Sequence, residues 1–139
     1  MNLVVDCSFI MSSILPDEQQ KNIEDIYNNI ADNTYKVFVP AIFYLECNNV
    51  LISSLKRKRI AKDDYEEYLN LLSILPLHID NFCSTPESLY ALSNLSNKYS
   101  LTSYDASYLE VAIRMNASIA TLDKNLNARC REAGVESII

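Results

Sequence analysis

Apolar residues along this chain come either as short uninterrupted runs or at helical spacing, and the two patterns alternate. Leu3, Val4 and Val5 form a run that ends in Asp6, the pattern of a strand buried on both faces. Cys7 and Ser8 open a helical stretch that Pro16 interrupts, and Asp17 is placed to cap a second helix carrying Ile23, Ile26, Tyr27 and Ile30. Val37, Phe38 and Val39 predict a second strand. Pro40 suits the first turn of the helix that follows, whose expected apolar stripe is Ile42, Leu45, Val50 and Ile52. The spacing of Tyr65, Tyr68, Leu69 and Leu72 predicts a helix over 63–75 that Pro76 ends, and 77–79 reads as a third strand. Thr85, Pro86 and Glu87 have the order of a capping hydroxyl, a first-turn proline and a first-turn acid, so a helix is expected from there to about Tyr99. Thr102 opens another. Residues 117–122 then read as a strand, 124–133 as a helix closed by Gly134, and 135–139 as a last strand.

Strands that alternate with helices call for an α/β fold with a mostly parallel sheet covered on both faces, in one domain over residues 1–139. At this length folding buries roughly two-thirds of the surface of the unfolded chain, so a single core is sufficient. No apolar run approaches membrane-spanning length and no basic, apolar leader with a cleavage site stands at the start, so the expectation is a cytoplasmic protein with no membrane partner. Cys7, Cys47, Cys83 and Cys130 form no Cys-x-x-Cys pair, which argues against a zinc knuckle or a redox motif; they read as reduced thiols that pack as small hydrophobes. A formal net charge of −6 disfavours loose adhesion to nucleic acid, though not an enzyme that brings cations with it. The single glycine, Gly134, rules out glycine-rich phosphate loops.

In a parallel sheet the ligand crevice lies beyond the carboxyl ends of the strands. Asp6 ends the first strand, Asp123 ends the 117–122 strand, and Asp105 begins the helix before it, so the three belong near one crevice. Asp105 is in register with Leu109, Ala112 and Ile113, and Glu46 interrupts the stripe between Ile42 and Val50, with Asn49 three residues on; both acids are expected to face inward. Each also has a plainer role. Asp6 and Asp123 suit helix caps, Asp105 completes a capping box with Thr102, and Glu46 suits an ion pair or a partly exposed edge. Taken together, carboxylates in a crevice of low dielectric repel one another and must take up protons or bind cations. An all-oxygen set without His or Cys suits Mg²⁺ or Mn²⁺.

Four segments then carry a family resemblance: Val-Val-Asp6-Cys-Ser8, Leu-Glu46-Cys-Asn-Asn49-Val-Leu, Leu-Thr102-Ser-Tyr-Asp105-Ala-Ser-Tyr-Leu and Ala-Thr121-Leu-Asp123-Lys-Asn-Leu126. In order and spacing the chain resembles the PIN-domain ribonucleases, in particular the VapC-type toxins of toxin–antitoxin pairs. The resemblance implies a three-layer α/β/α fold and Asp6, Glu46, Asp105 and Asp123 as the Mg²⁺-binding catalytic acids. Ser8, Asn49 and Thr121 match supporting positions, and Thr102 starts the helix that presents Asp105. A cognate antitoxin and a homodimer are implied as well. Many relatives carry a further acid where this chain has Asn125, which can accept a hydrogen bond from a metal-bound water but adds no charge.

The expected chemistry is metal-assisted hydrolysis of an RNA phosphodiester, with no side-chain nucleophile. Cys7 and Cys47 stand beside two of the acids, but the only imidazole, His78, sits in an expected strand, and Ser8 has no triad. Lys56, Arg57, Lys58, Arg59 and Lys124 are the cations expected against an RNA backbone; the run of four at a helix end equally complements the helix dipole. Two rivals remain at this level. One keeps the fold as a non-catalytic RNA- or protein-interaction module. The other is a phosphoryl-accepting receiver-like or phosphatase domain, for which Ser8 replaces the second acid of a phosphatase and Lys124 is poorly placed for a receiver.

Overall fold

The computed structural model describes residues 1–15 and 21–139; the break at Pro16 and the cap at Asp17 lie outside them. Four strands, β1 (Asn2–Val5), β2 (Lys36–Pro40), β3 (Leu77–Asp80) and β4 (Ser118–Ala120), form a sheet in the order β3-β2-β1-β4 with every pairing parallel. Val4 lies opposite Phe38 on one side and Ile119 on the other. Leu3, Val4 and Val5 are all fully buried. Because successive strand residues point to opposite faces, both faces of the sheet are covered, and the three-layer expectation holds.

The covering helices among the described residues are α1 (Cys7–Ile14), α2 (Lys21–Ala31), α3 (Phe43–Lys56), α4 (Lys62–Ile74), α5 (Ser88–Tyr99), α6 (Ser103–Arg114) and α7 (Lys124–Glu132). None is long and apolar enough to cross a membrane. The helix α6 packs on β1, β2 and α5, while α3 packs against α1 and α4. After β1 the chain steps outward to β2 and β3 and then returns to β4 on the other side of β1. The carboxyl ends of β1 and β4 therefore flank the switch point of the sheet, where a crevice must open.

Several expected boundaries move. Pro40 is the last residue of β2, paired with Asp80, and α3 begins only at Phe43. Its buried side is Phe43, Cys47, Leu51 and Ser54, whereas Leu45 is 72% exposed. Apolar residues stand on more than one side of this helix, so periodicity alone could not select the face that packs. Thr85 does not cap a helix: a 3-10 turn over Phe82–Ser84 comes first, and the Thr85 hydroxyl donates to the Phe82 carbonyl at 2.7 Å. The segment after Gly134 makes one parallel bridge, Ile119 with Ser137, rather than a strand, since β4 offers it only a three-residue edge. On α6, Leu109 and Ala112 are buried as expected but Ile113 is 47% exposed, beyond the edge of the packed face.

Among the described residues, five lie in the left-handed region just past helix ends: Asn33, Lys58, Ser100 and Asn116 besides Gly134. At Lys58 the turn satisfies two end carbonyls of α3, with the Lys58 N–H on Leu55 and the Arg59 N–H on Ser54.

Candidate active site

Asp6 leaves β1 in extended conformation and caps α1, accepting from the Phe9 N–H at 2.9 Å. Asp123 does the same after β4, accepting from the Leu126 N–H at 2.8 Å as the cap of α7. The cap and the crevice acid are thus one residue in both cases, Asp6 buried and Asp123 exposed. Two hydroxyls tie these junctions together. Thr121, fully buried, donates to Asp6 Oδ2 at 2.6 Å and accepts from the Asp123 N–H at 3.1 Å. Ser8 donates to both Asp6 oxygens, at 2.7 and 2.9 Å, and accepts from the Leu122 N–H at 3.0 Å.

On the facing side, Thr102 caps α6 by accepting from the Asp105 N–H at 3.1 Å, which sets Asp105 in the first turn. One turn on, the nearly buried Tyr108 donates its phenol to Glu46 Oε1 at 2.6 Å and so joins α6 to α3. Asp6, Glu46, Asp105 and Asp123 all line one cleft of 540 Å³, with Ser8, Tyr108, Val50, Met11, Cys7 and Leu122 on its walls. Among the described residues no Lys, Arg or His lines it.

The electrostatics follow from that packing. Burial raises Asp6 above the ordinary carboxylate range against the hydrogen bonds from Thr121, Phe9 and Ser8, and the Asp123 charge adds to the rise. Burial likewise raises Glu46, the Tyr108 phenol opposes it, and the charges of Asp6 and Asp105 raise it further. Asp105 is raised by burial and by Asp123, with the Thr102 hydroxyl pulling the other way. The cysteines are free thiols. Cys47 is pushed up, first by its contact with the Cys7 thiol and then by burial, and burial pushes Cys130 up to about 12, so neither is a ready thiolate nucleophile.

The remaining expected site residues lie elsewhere. Asn125 and Lys124 are exposed in the first turn of α7, off the cleft wall. Asn49 is exposed and lines a neighbouring depression with Arg57 and Arg59, while Lys56 and Lys58 line neither cavity. His78 is exposed on β3, its ring tilted against Phe38 at 5.5 Å. Tyr108 was not anticipated from the sequence. Its signal was present at three residues beyond Asp105, on the same helix face.

A parallel α/β domain that gathers four acids at its switch point defines a class, and comparison with known proteins gives its name. The model of the PIN domain matches residues 3–132, and the chain belongs to that family. No curated protein matches it significantly. Among solved structures it is similar to PAE2754 from Pyrobaculum aerophilum, with 21% identity over 99% of this chain and 84% of the other and a TM-score of 0.72. FitAcB from Neisseria gonorrhoeae is similar at 12% identity over 99% and 96%, with a TM-score of 0.67. VapBC2 from Rickettsia felis, bound to a DNA fragment from their promoter, is similar at 16% identity over 87% of each chain, with a TM-score of 0.62.

Proposed function

We propose that this PIN domain is a metal-dependent endoribonuclease that hydrolyses RNA phosphodiester bonds, and that it is the toxin of a VapBC-type pair. The observation that carries the reading is the convergence of Asp6, Glu46, Asp105 and Asp123, from four separate segments, on a cleft with no basic side chain on its walls among the described residues. Clustered carboxylates that raise one another's proton affinity are what a bound cation relieves.

The donor set fits a hard ion, Mg²⁺ or Mn²⁺, because every acid offers oxygen. An ionised carboxylate has about four acceptor sites. Phe9, Thr121 and the single proton of Ser8 occupy three of those on Asp6, which leaves room for one more ligand. Among the described residues no three His, Cys, Asp or Glu side chains are grouped tightly enough to hold an ion by themselves. Mg²⁺ keeps several waters and binds through one or two carboxylates, so Asp6 with one further cleft acid would suffice to hold it. When bound, the ion supplies an activated water and neutralises charge on the phosphate. Ser8 and Thr121 keep Asp6 aimed and favour its ionised form against burial, Tyr108 does so for Glu46, and Thr102 positions Asp105 by starting its helix.

The antitoxin partner, the homodimer and the cytoplasmic site of action belong to the same proposal; they rest on the sequence resemblance to VapC-type toxins and, for the antitoxin, on likeness to VapBC2. The test is cleavage of cellular RNA with Mg²⁺ and with a chelator, for wild type, Asp6→Asn and Asp105→Asn. Each substitution should lower cleavage by roughly a hundredfold or more, the scale for removing one group that stabilises transition-state charge. Sequencing the new RNA ends identifies the substrate. Undiminished cleavage in both variants overturns the assignment, and RNA binding without cleavage by the wild type marks a non-catalytic module instead.

A further inference from the structure

The outer end of α3 carries a second depression, of 240 Å³, lined by Asn49, Val50, Ser53, Ser54, Arg57 and Arg59. Val50 belongs to its wall and to the wall of the acid cleft, so the two cavities adjoin. Glu46, Asn49, Val50, Ser53 and Arg57 recur at intervals of three and four, so a single helix face runs from a cleft acid to a guanidinium. At a rise of 1.5 Å per residue the stripe from Glu46 to Arg57 is roughly 16 Å long. The left-handed turn at Lys58 folds the chain back, and Arg59 lines the same depression as Arg57 although it lies beyond the helix.

We infer that this depression is a second phosphate site, which holds an RNA backbone phosphate several nucleotides from the bond that is cut. The inference rests on the nuclease reading and adds a track and a length to it. Among the described residues the acid-walled cleft offers no counter-charge to the phosphates that flank the scissile one, and the net charge of −6 repels them overall. The Arg57 guanidinium with the Asn49 amide and the Ser53 hydroxyl is a donor set that phosphate oxygens accept from, and Arg binds them bidentately; Arg59 lines the same depression while engaged in an interaction of its own. A stacked strand advances about 3.4 Å per nucleotide, so roughly 16 Å corresponds to about five nucleotides, fewer if the strand is extended. Complementing the helix dipole is the competing role for this basic run. Lys56 and Lys58 serve that role as well as the arginines do, yet they line neither cavity, which separates the two accounts.

The experiment compares wild type, Arg57→Ala/Arg59→Ala and Lys56→Ala/Lys58→Ala on a set of single-stranded RNAs shortened stepwise from either end. The arginine pair should raise KM about tenfold or more on long substrates, with kcat far less affected, and flatten the salt dependence by about one phosphate contact. The ratio of wild-type to variant kcat/KM should contract once about five nucleotides are removed from one end and not from the other. Urea denaturation of each variant controls for folding. An unchanged KM, a loss independent of substrate length, or an equal loss in the lysine pair overturns the second phosphate site while leaving the nuclease reading intact. Failure of the wild type to bind or cut any RNA overturns both.

Discussion

Thr121 serves two acids at once. Its hydroxyl lowers the proton affinity of Asp6 by donating to it and fixes the Asp123 backbone by accepting from it. In Thr121→Val the shape is kept and both bonds are lost, which should cost about 1–3 kcal/mol in urea denaturation. If Asp6 holds Mg²⁺ as proposed, the affinity should fall about 10–100-fold, as for partners of metal-ligating groups, and a titration followed by metal-dependent stabilisation reads it. Tyr108 acts in the same sense on Glu46. The phenol holds Glu46 down against burial, so Tyr108→Phe raises Glu46 further and should move the acid limb of the pH–rate profile to higher pH with the ring still packed. The four acids were legible because their spacing and strand-end positions are local features of the sequence. That Thr121 reaches Asp6 across 115 positions is a tertiary fact; only the family resemblance signalled it.

At the scale of elements, α6 must be held still, since it carries both Asp105 and Tyr108. Arg114, in its last turn, bonds Asp80 at the end of β3 through two nitrogens, pairs with Glu110, and lies over the Phe82 ring at 5.1 Å. Arg114→Met should cost about 1 kcal/mol, the upper end for partly exposed pairs. Arg114 holds the Asp80 carboxyl below its ordinary value of 3.8, so the folded state prefers the ionised form. That contribution is complete above the ordinary value and is lost as pH falls through the lowered native one; denaturation midpoints below about pH 4 should therefore drop more steeply in wild type than in Arg114→Met. Lys58 stands at φ 56, where glycine is favoured, and Lys58→Gly should raise stability by about 1 kcal/mol in thermal unfolding. Strand and helix order could be read from alternation of pattern, because β1, β2 and β4 are buried on both faces. The start of α3 could not, because a proline suits a strand's last rung as well as a helix's first turn, and only the pairing of Pro40 with Asp80 decides between them.

For the whole molecule, the clustered acids set stability against function. Asp6, Glu46 and Asp105 bind protons more tightly folded than unfolded. Their contribution to stability is therefore complete below the ordinary values of 3.8 for Asp and 4.5 for Glu, and it is lost as pH rises through the raised native ones. With a chelator present, unfolding temperature should fall between mildly acidic and neutral pH. Mg²⁺ should reverse the fall by binding the folded state alone. In Asp6→Asn the slope should be shallower, and the chelated protein more stable at neutral pH than wild type; a wild-type slope that ignores both metal and substitution contradicts this account.

Asp6 and Asp123 each do double duty, as acids of the cleft and as the caps from which α1 and α7 start. Asparagine caps a helix as well as aspartate does. An aspartate codon becomes an asparagine codon by a single base change, so the shortest mutational route away from a charged cleft passes through a chain that still folds. Silent descendants of such a domain, intact in shape, are then one substitution away.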